Sequence, residues 1–223
     1  MPERPNPENS PYICWIDLET TGSSDDALII EIGAVMSDRD LNELSSKQIV
    51  LHIGKEWTDQ LDPFVLNMHT KNGLLEECYK SDVYLSDADT EMTKWIRGYT
   101  SGDHIPLGGS GVSHFDRKFI RRDLRKFDKF LTYWAYDVGS LRRQLRLFGF
   151  EVPDRKAVAE SRSHRALDDI RDHVAETRQY RDMLRGLLSQ GNEAQKRIYE
   201  SIHQAGRELL ADIAKLDSTG TPI

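Results

Sequence analysis

Between residues 12 and 53 the apolar positions come in short dense runs, and from residue 86 onward they recur at helical spacing. Residues 12–17 (YICWID) form a continuous apolar run closed by a carboxylate, the pattern of a buried central strand. The stretch TTGSSDD that follows reads as a turn. Residues 28–36 (LIIEIGAVM) and 47–53 (KQIVLHI) predict a second and a third strand, and the short connections suggest an antiparallel meander. Helices are expected over 86–99, with Met92, Trp95, Ile96 and Tyr99 on one face, and over 114–130, with Phe115, Phe119, Ile120, Leu124 and Phe127 on one face. Between them, residues 105–107 read as a short strand ending in the turn GGSG. Basic amphipathic residues 138–148 close on Gly149, and a long helix over 165–188 is expected to break at Gly191. These elements describe an α/β domain with a mixed sheet.

Residues 192–217 predict one more helix, whose stripe of Ile198, Ile202, Ala205, Leu209, Ile213 and Leu216 must be covered either by its own domain or by a partner subunit. The expected organisation is a flexible lead-in over 1–11, a main domain over 12–190 and a C-terminal helical extension over 191–223.

Composition narrows the class. The 223 residues are 38% hydrophobic and 30% charged, enough for a real core and too mixed in sign for a disordered tail. No stretch approaches the roughly 18 consecutive apolar residues of a membrane span. The first residues lack the apolar run of a secretory signal. Cys14 and Cys78 are too far apart for a thiolate zinc site or a disulfide framework, so a reduced, cytoplasmic protein is expected. The net charge of −7 hides an asymmetry. Residues 1–116 carry 8 Lys and Arg against 21 Asp and Glu, whereas residues 117–165 carry 14 against 6. Carboxylates holding cations beside a polyanionic substrate would give that distribution.

Asp17 and Glu19 stand two apart at the end of the first strand and therefore project to the same face, with Leu18 opposite. Two carboxylates on an otherwise apolar strand repel each other and resist desolvation, so they call for a cation or a shared proton. Asp116 opens a helix after the glycine-rich turn, and SHRALDD (163–169) opens the long helix with a histidine and two further carboxylates. Carboxylates from distant segments with a single histidine suit two hard divalent ions, Mg²⁺ or Mn²⁺. Such a pair serves in-line phosphoryl displacement, with a neutral histidine as proton acceptor.

The motifs WIDLETTG (15–22), SHFDRKF (113–119) and SHRALDD (163–169) resemble the three exonuclease motifs of DEDDh 3′→5′ exonucleases. The resemblance covers about residues 12–183 and implies an RNase H-like mixed sheet flanked by helices, with the last helix as an addition. It assigns Asp17, Glu19, Asp116 and Asp169 to two divalent ions and His164 to general base. Within that family the chain is similar to the oligoribonuclease group. NMHTKNGL (67–74) and LTYWAYDVGSLRR (131–143) match segments of that group, which implies substrate contacts from Leu18, Thr20, Phe64, His69 and Tyr133 and a homodimer in which Tyr133 reaches the partner's substrate. Departures from the pattern concern substrate length. Ser23 stands where the group has a leucine after T-G, and Trp134 and Gly139 stand where it has an arginine and a serine on a terminal 5′ phosphate.

The resemblance implies a 3′→5′ exoribonuclease releasing nucleoside 5′-monophosphates from short single-stranded RNA, and the departures from it predict weaker length discrimination. Two other readings stand beside it: a 3′→5′ DNA exonuclease of proofreading type, and a nucleic-acid-binding module with a vestigial site.

Overall fold

The computed structural model describes residues 10–100, 102, 104–152 and 163–218. The expected lead-in therefore lies outside the described residues up to residue 9. Five strands form one mixed sheet of order β3-β2-β1-β4-β5: β1 Tyr12–Thr20, β2 Ile29–Asp38, β3 Glu43–Val50, β4 Ile105–Gly109 and β5 Leu131–Asp137. The first three make the expected antiparallel meander, and β4 and β5 add in parallel on the other side of β1.

β1 is central and buried on both faces, as its unbroken apolar run requires. Its residues alternate between two clusters. Cys14, Ile16 and Leu18 pack with Met92 and Ile96 of α3 (Leu85–Ile96), Phe119 of α4 (Asp116–Asp123) and Phe127 of α5 (Arg125–Asp128). Ile13 and Trp15 pack with Ile170 and Val174 of the last helix, which is α7 here (Ala166–Ser218). Asp17 and Glu19 continue the second set and so face α7.

Other elements differ from the expectation in instructive ways. β3 begins and ends earlier than 47–53, because its backbone pairs with β2 from Ser37↔Glu43 to Glu31↔Val50 although five of its eight side chains are polar. The helix expected over 114–130 is split at Leu124, whose φ of −109° and ψ of 52° leave the helical region. β5 was not expected as a strand; it is an edge strand with no alternation of buried and exposed residues. Helices α1 (Pro63–Lys71) and α2 (Leu74–Lys80) were not expected either, although Asp62-Pro63 is a capping signal. The Asp62 carboxylate accepts the Phe64 N–H at 2.8 Å. A sixth helix, α6 (Val138–Leu147), follows β5 directly.

α7 runs 53 residues without stopping at Gly191. A single glycine costs a helix only about 1 kcal/mol relative to alanine, too little to end one of this length. By contacts the chain divides into two compact units, Met1–Arg178 and Gln179–Ile223. In the second unit Ile198 and Ile202 are exposed, so the expected apolar stripe is uncovered at its described positions.

Candidate active site

Parity along β1 brings Asp17 and Glu19 to α7, and the first turn of α7 supplies the third carboxylate. Oxygens of Asp17, Glu19 and Asp169 lie within 4.8 Å of one another. The neighbouring Asp168 turns away and accepts the Ser163 hydroxyl at 2.9 Å, so of the two adjacent aspartates only Asp169 joins the group.

β2 fixes where α7 begins. Glu31, paired with Glu19 across the strands and fully buried, accepts the Ala166 N–H at 2.9 Å and so fills the helix N-terminus with a negative charge. It also accepts Arg165, whose guanidinium bonds Glu77 of α2 as well. Gly33 permits the approach: a Cβ there would sit 2.2 Å from the Ala166 carbonyl carbon. The IIEIGAV run after the first motif thus sets the distance between β1 and Asp169.

Asp116 stands apart from the three. β1 pairs with β4 only at Cys14↔Leu107 and Trp15↔Gly108, which leaves the later N–H groups on that edge open. Asp116 Oδ1 accepts the Leu18 N–H at 3.0 Å. Burial pushes its carboxyl up to about 7, against the lowering effect of that bond and of its own N–H. The turn before it is held by Asp137, which accepts the N–H groups of Gly111, Ser113 and Ser140.

Glu19 carries the largest electrostatic load. Burial foremost, then Asp169, Glu31 and Asp116, raises its carboxyl to about 9. His69, delivered by α1 and fully buried, places Nε2 3.4 Å from Glu19 Oε2. Burial, with the nearby His164 and Arg165, lowers His69 to about 4. Both partners shift toward neutrality, so the pair is a carboxylic acid beside a neutral imidazole rather than an ion pair. Without a cation, burial and the neighbouring carboxylates favour the protonated form of Glu19.

His164 adopts φ +47°, the left-handed region that a non-glycine residue rarely occupies. Asn72, at the end of α1, is its clamp. The Asn72 amide donates to the Ser163 carbonyl at 3.0 Å and the His164 carbonyl at 2.7 Å, which uses both of its hydrogens; His69 Nδ1 at 3.5 Å is the weaker third neighbour. Asn72 Oδ1 meanwhile accepts the Leu74 N–H at 3.1 Å and starts α2. Asn72→Ala is expected to free the strained backbone, and to lower kcat about tenfold or more with KM within about threefold. Equal kcat in the two proteins would remove the clamp from the account.

The remaining candidates scatter. The Leu18 side chain is in the core, so only its backbone faces the site. The Thr20 hydroxyl donates to the Gly22 carbonyl at 2.7 Å and braces the turn. Phe64 on α1 is 70% exposed and Tyr133 on β5 is 85% exposed, neither joined to the carboxylates. Sequence reasoning missed His173, which is buried with Nδ1 4.0 Å from Asp17 Oδ1. Its spacing of four from Asp169, one helical turn, was the available signal.

The profile of the RNase T exonuclease family matches residues 14–177, three quarters of the chain and every residue of this group. The chain belongs to that exonuclease family. Among curated relatives, an oligoribonuclease of Corynebacterium diphtheriae is 36% identical over 188 residues, covering 81% of this chain and 86% of the relative. An oligoribonuclease of a Mycobacterium species is 38% identical over 178 residues, covering 76% and 79%. Solved structures of exonuclease I share the fold: that of Methylocaldum szegediense has TM-score 0.60 at 17% identity over 77% of this chain. The Escherichia coli enzyme in complex with a dT13 oligonucleotide has TM-score 0.61 at 12% identity over 80% of this chain. This exonuclease spans about 40% of the length of those structures, which places the RNase H-like sheet and its flanking helices in common.

Proposed function

We propose that the chain is a 3′→5′ exoribonuclease acting on short single-stranded RNA and releasing nucleoside 5′-monophosphates. The observation that carries this reading is the convergence of Asp17, Glu19 and Asp169 beside the His164 clamp, in a chain with oligoribonuclease relatives matched over about four fifths of their length.

The donor set fits hard divalent cations. It offers carboxylate oxygens without thiolates, and it keeps Glu19 protonated when nothing else neutralises the group. Asp17, Glu19, Asp169 and Asp116 would hold two such ions, Mg²⁺ or Mn²⁺. When bound, they would supply the charge that makes water acidic and stabilises the departing 3′ oxygen. His164 takes the proton of the attacking water on an imidazole nitrogen while Asn72 holds its backbone. His69, buried against Glu19, backs that carboxylate from the α1 side. Asp116 ties the start of α4 to the end of β1 through the Leu18 N–H.

A homodimer and a cytoplasmic setting belong to the same proposal. They are supported by the outward Tyr133 on an edge strand and by two buried free thiols, Cys14 and Cys78. Among the described residues no helix is long and apolar enough to cross a membrane.

The test of substrate class compares RNA five-mers that differ only in a 2′-deoxy 3′-terminal residue, with Mn²⁺ and with excess EDTA. The all-ribose oligomer is expected to turn over faster by at least about tenfold, and EDTA to stop both reactions. Equal rates on the two would move the protein to the DNA exonuclease reading, and inactivity on both to the vestigial one.

A further inference from the structure

We propose that His173 is a positioning residue, whose buried imidazole stands beside Asp17 on the α7 side and keeps that carboxylate turned toward Glu19 and Asp169. This rests on the reading that the three carboxylates hold divalent cations, and it adds a residue that tunes how firmly they do so.

The placement comes from two periodicities that meet at one point. Along β1, Trp15, Asp17 and Glu19 share the face toward α7. Along α7 from Ala166 to Val174, the buried residues are Ala166, Asp169, Ile170, His173 and Val174, a stripe along one side of the helix. Asp169 and His173 are its two polar members, one helical turn apart. Asp169 meets Asp17 and Glu19, and His173 brings Nδ1 to 4.0 Å from Asp17 Oδ1. The β2 residue paired with Asp17 is Gly33, so that position puts no side chain between Asp17 and α7.

Packing does not account for a histidine here. Ile170 and Val174, on either side of it in the stripe, pack with Ile13, Trp15 and Val35 in an apolar cluster. An aliphatic side chain at 173 would extend that cluster. The imidazole is instead 2% exposed, and a buried polar ring has given up its water, a cost that a neighbouring carboxylate offsets and an apolar neighbour does not. At 4.0 Å the contact is longer than a hydrogen bond, so it acts on Asp17 through charge and bulk, by limiting which way the carboxylate turns. Groups that orient a ligating carboxylate in this way strengthen cation binding without touching the cation.

The turn that carries His173 is itself held. Arg171 donates to Glu43 of β3 at 2.8 Å, and Glu176 accepts the Arg142 guanidinium of α6 at 2.8 Å. Arg178 donates to the Leu41 carbonyl at 2.6 Å, and the Thr177 hydroxyl donates to the carbonyl of His173 itself at 2.8 Å. These anchors stand on both sides of residue 173 in the helix. The fold therefore sets the distance from the imidazole to Asp17, as an orienting group requires.

Two variants test the role. His173→Leu fills the space without a ring nitrogen, and His173→Asn keeps a nitrogen near the place of Nδ1. In calorimetric titrations His173→Leu is expected to bind Mn²⁺ about tenfold or more weakly than wild type, and His173→Asn to recover most of that affinity. In EDTA His173→Leu is expected to melt no lower than wild type, because it removes a buried polar group. On an RNA five-mer with saturating Mn²⁺, KM is expected to stay within about twofold, because the residue acts through Asp17 and not on the RNA. Wild-type Mn²⁺ affinity in His173→Leu would overturn the proposal, as would a His173→Asn that binds no better than His173→Leu. A lower melting temperature of His173→Leu in EDTA would overturn it too, by making the histidine a packing strut. Wild-type protein that takes up no Mn²⁺ would end the cation reading itself. Wild-type protein that binds Mn²⁺ but cleaves no RNA would end the exoribonuclease reading, while the titrations still decide the role of His173.

Discussion

Glu19→Gln is expected to abolish turnover and, with divalent cations chelated, to make the protein more stable. Both effects come from the same burial. Glu19 is raised from its ordinary value of 4.5 to about 9, chiefly by desolvation and then by Asp169 and Glu31. Between those two values the native state holds a proton that the unfolded state has released, so this group's contribution to stability falls as pH rises through that window. The glutamine keeps the shape without the ionisation. In EDTA it is expected to gain about 1–3 kcal/mol at pH 8 relative to wild type, a few degrees in melting temperature, and to show a shallower slope between pH 5 and 9, with Asp116 supplying what remains. Mn²⁺ should reverse the order, raising the melting temperature of wild type far more than that of the variant. Melting curves across pH with EDTA or Mn²⁺ read all of this. A variant that melts lower in EDTA, or one that still cleaves RNA, would show that Glu19 is a structural carboxylate.

His164→Ala is expected to lower kcat by about 10²–10⁴-fold, the range of a lost general base. Cation binding should survive, because His164 belongs to the loop before α7 and not to the three carboxylates whose oxygens meet. The left-handed φ of 47° is a cost that the Asn72 and Glu31 hydrogen bonds offset, so shortening the side chain leaves the backbone arrangement in place. Calorimetric titration of Mn²⁺ into the variant separates the two roles: unchanged cation affinity with collapsed kcat marks a base. Loss of both would make His164 a ligand or a strut.

Much of this site could be read in the chain because it depends on local rules. Period two along residues 12–20 places Asp17 and Glu19 together and sends Leu18 to the other face, and β1 follows that pattern to Glu19. The start of the long helix near residue 165 and the meander before it rest on equally local signals. What was hidden depends on pairs far apart in sequence. Asn72 meets the backbone of residues 163 and 164 across 91 and 92 positions, and nothing near Asn72 announces that contact. Glu31 reads as one polar residue in an apolar strand until Ala166 and Arg165 are brought to it. β5 was missed because an edge strand with exposed tyrosines lacks the alternation that marks a half-buried one. The break expected at Gly191 failed for a different reason: one glycine is a weak signal against 53 residues of helix.

The direct test of the central claim is product analysis with Mn²⁺ on 5′-labelled RNA and DNA oligomers of two to twenty-four nucleotides. Stepwise shortening of RNA from the 3′ end, with nucleoside 5′-monophosphates released and only a shallow rate advantage for the shortest oligomers, is the predicted result. Internal cuts, shortening from the 5′ end, or equal and length-independent degradation of DNA would contradict it.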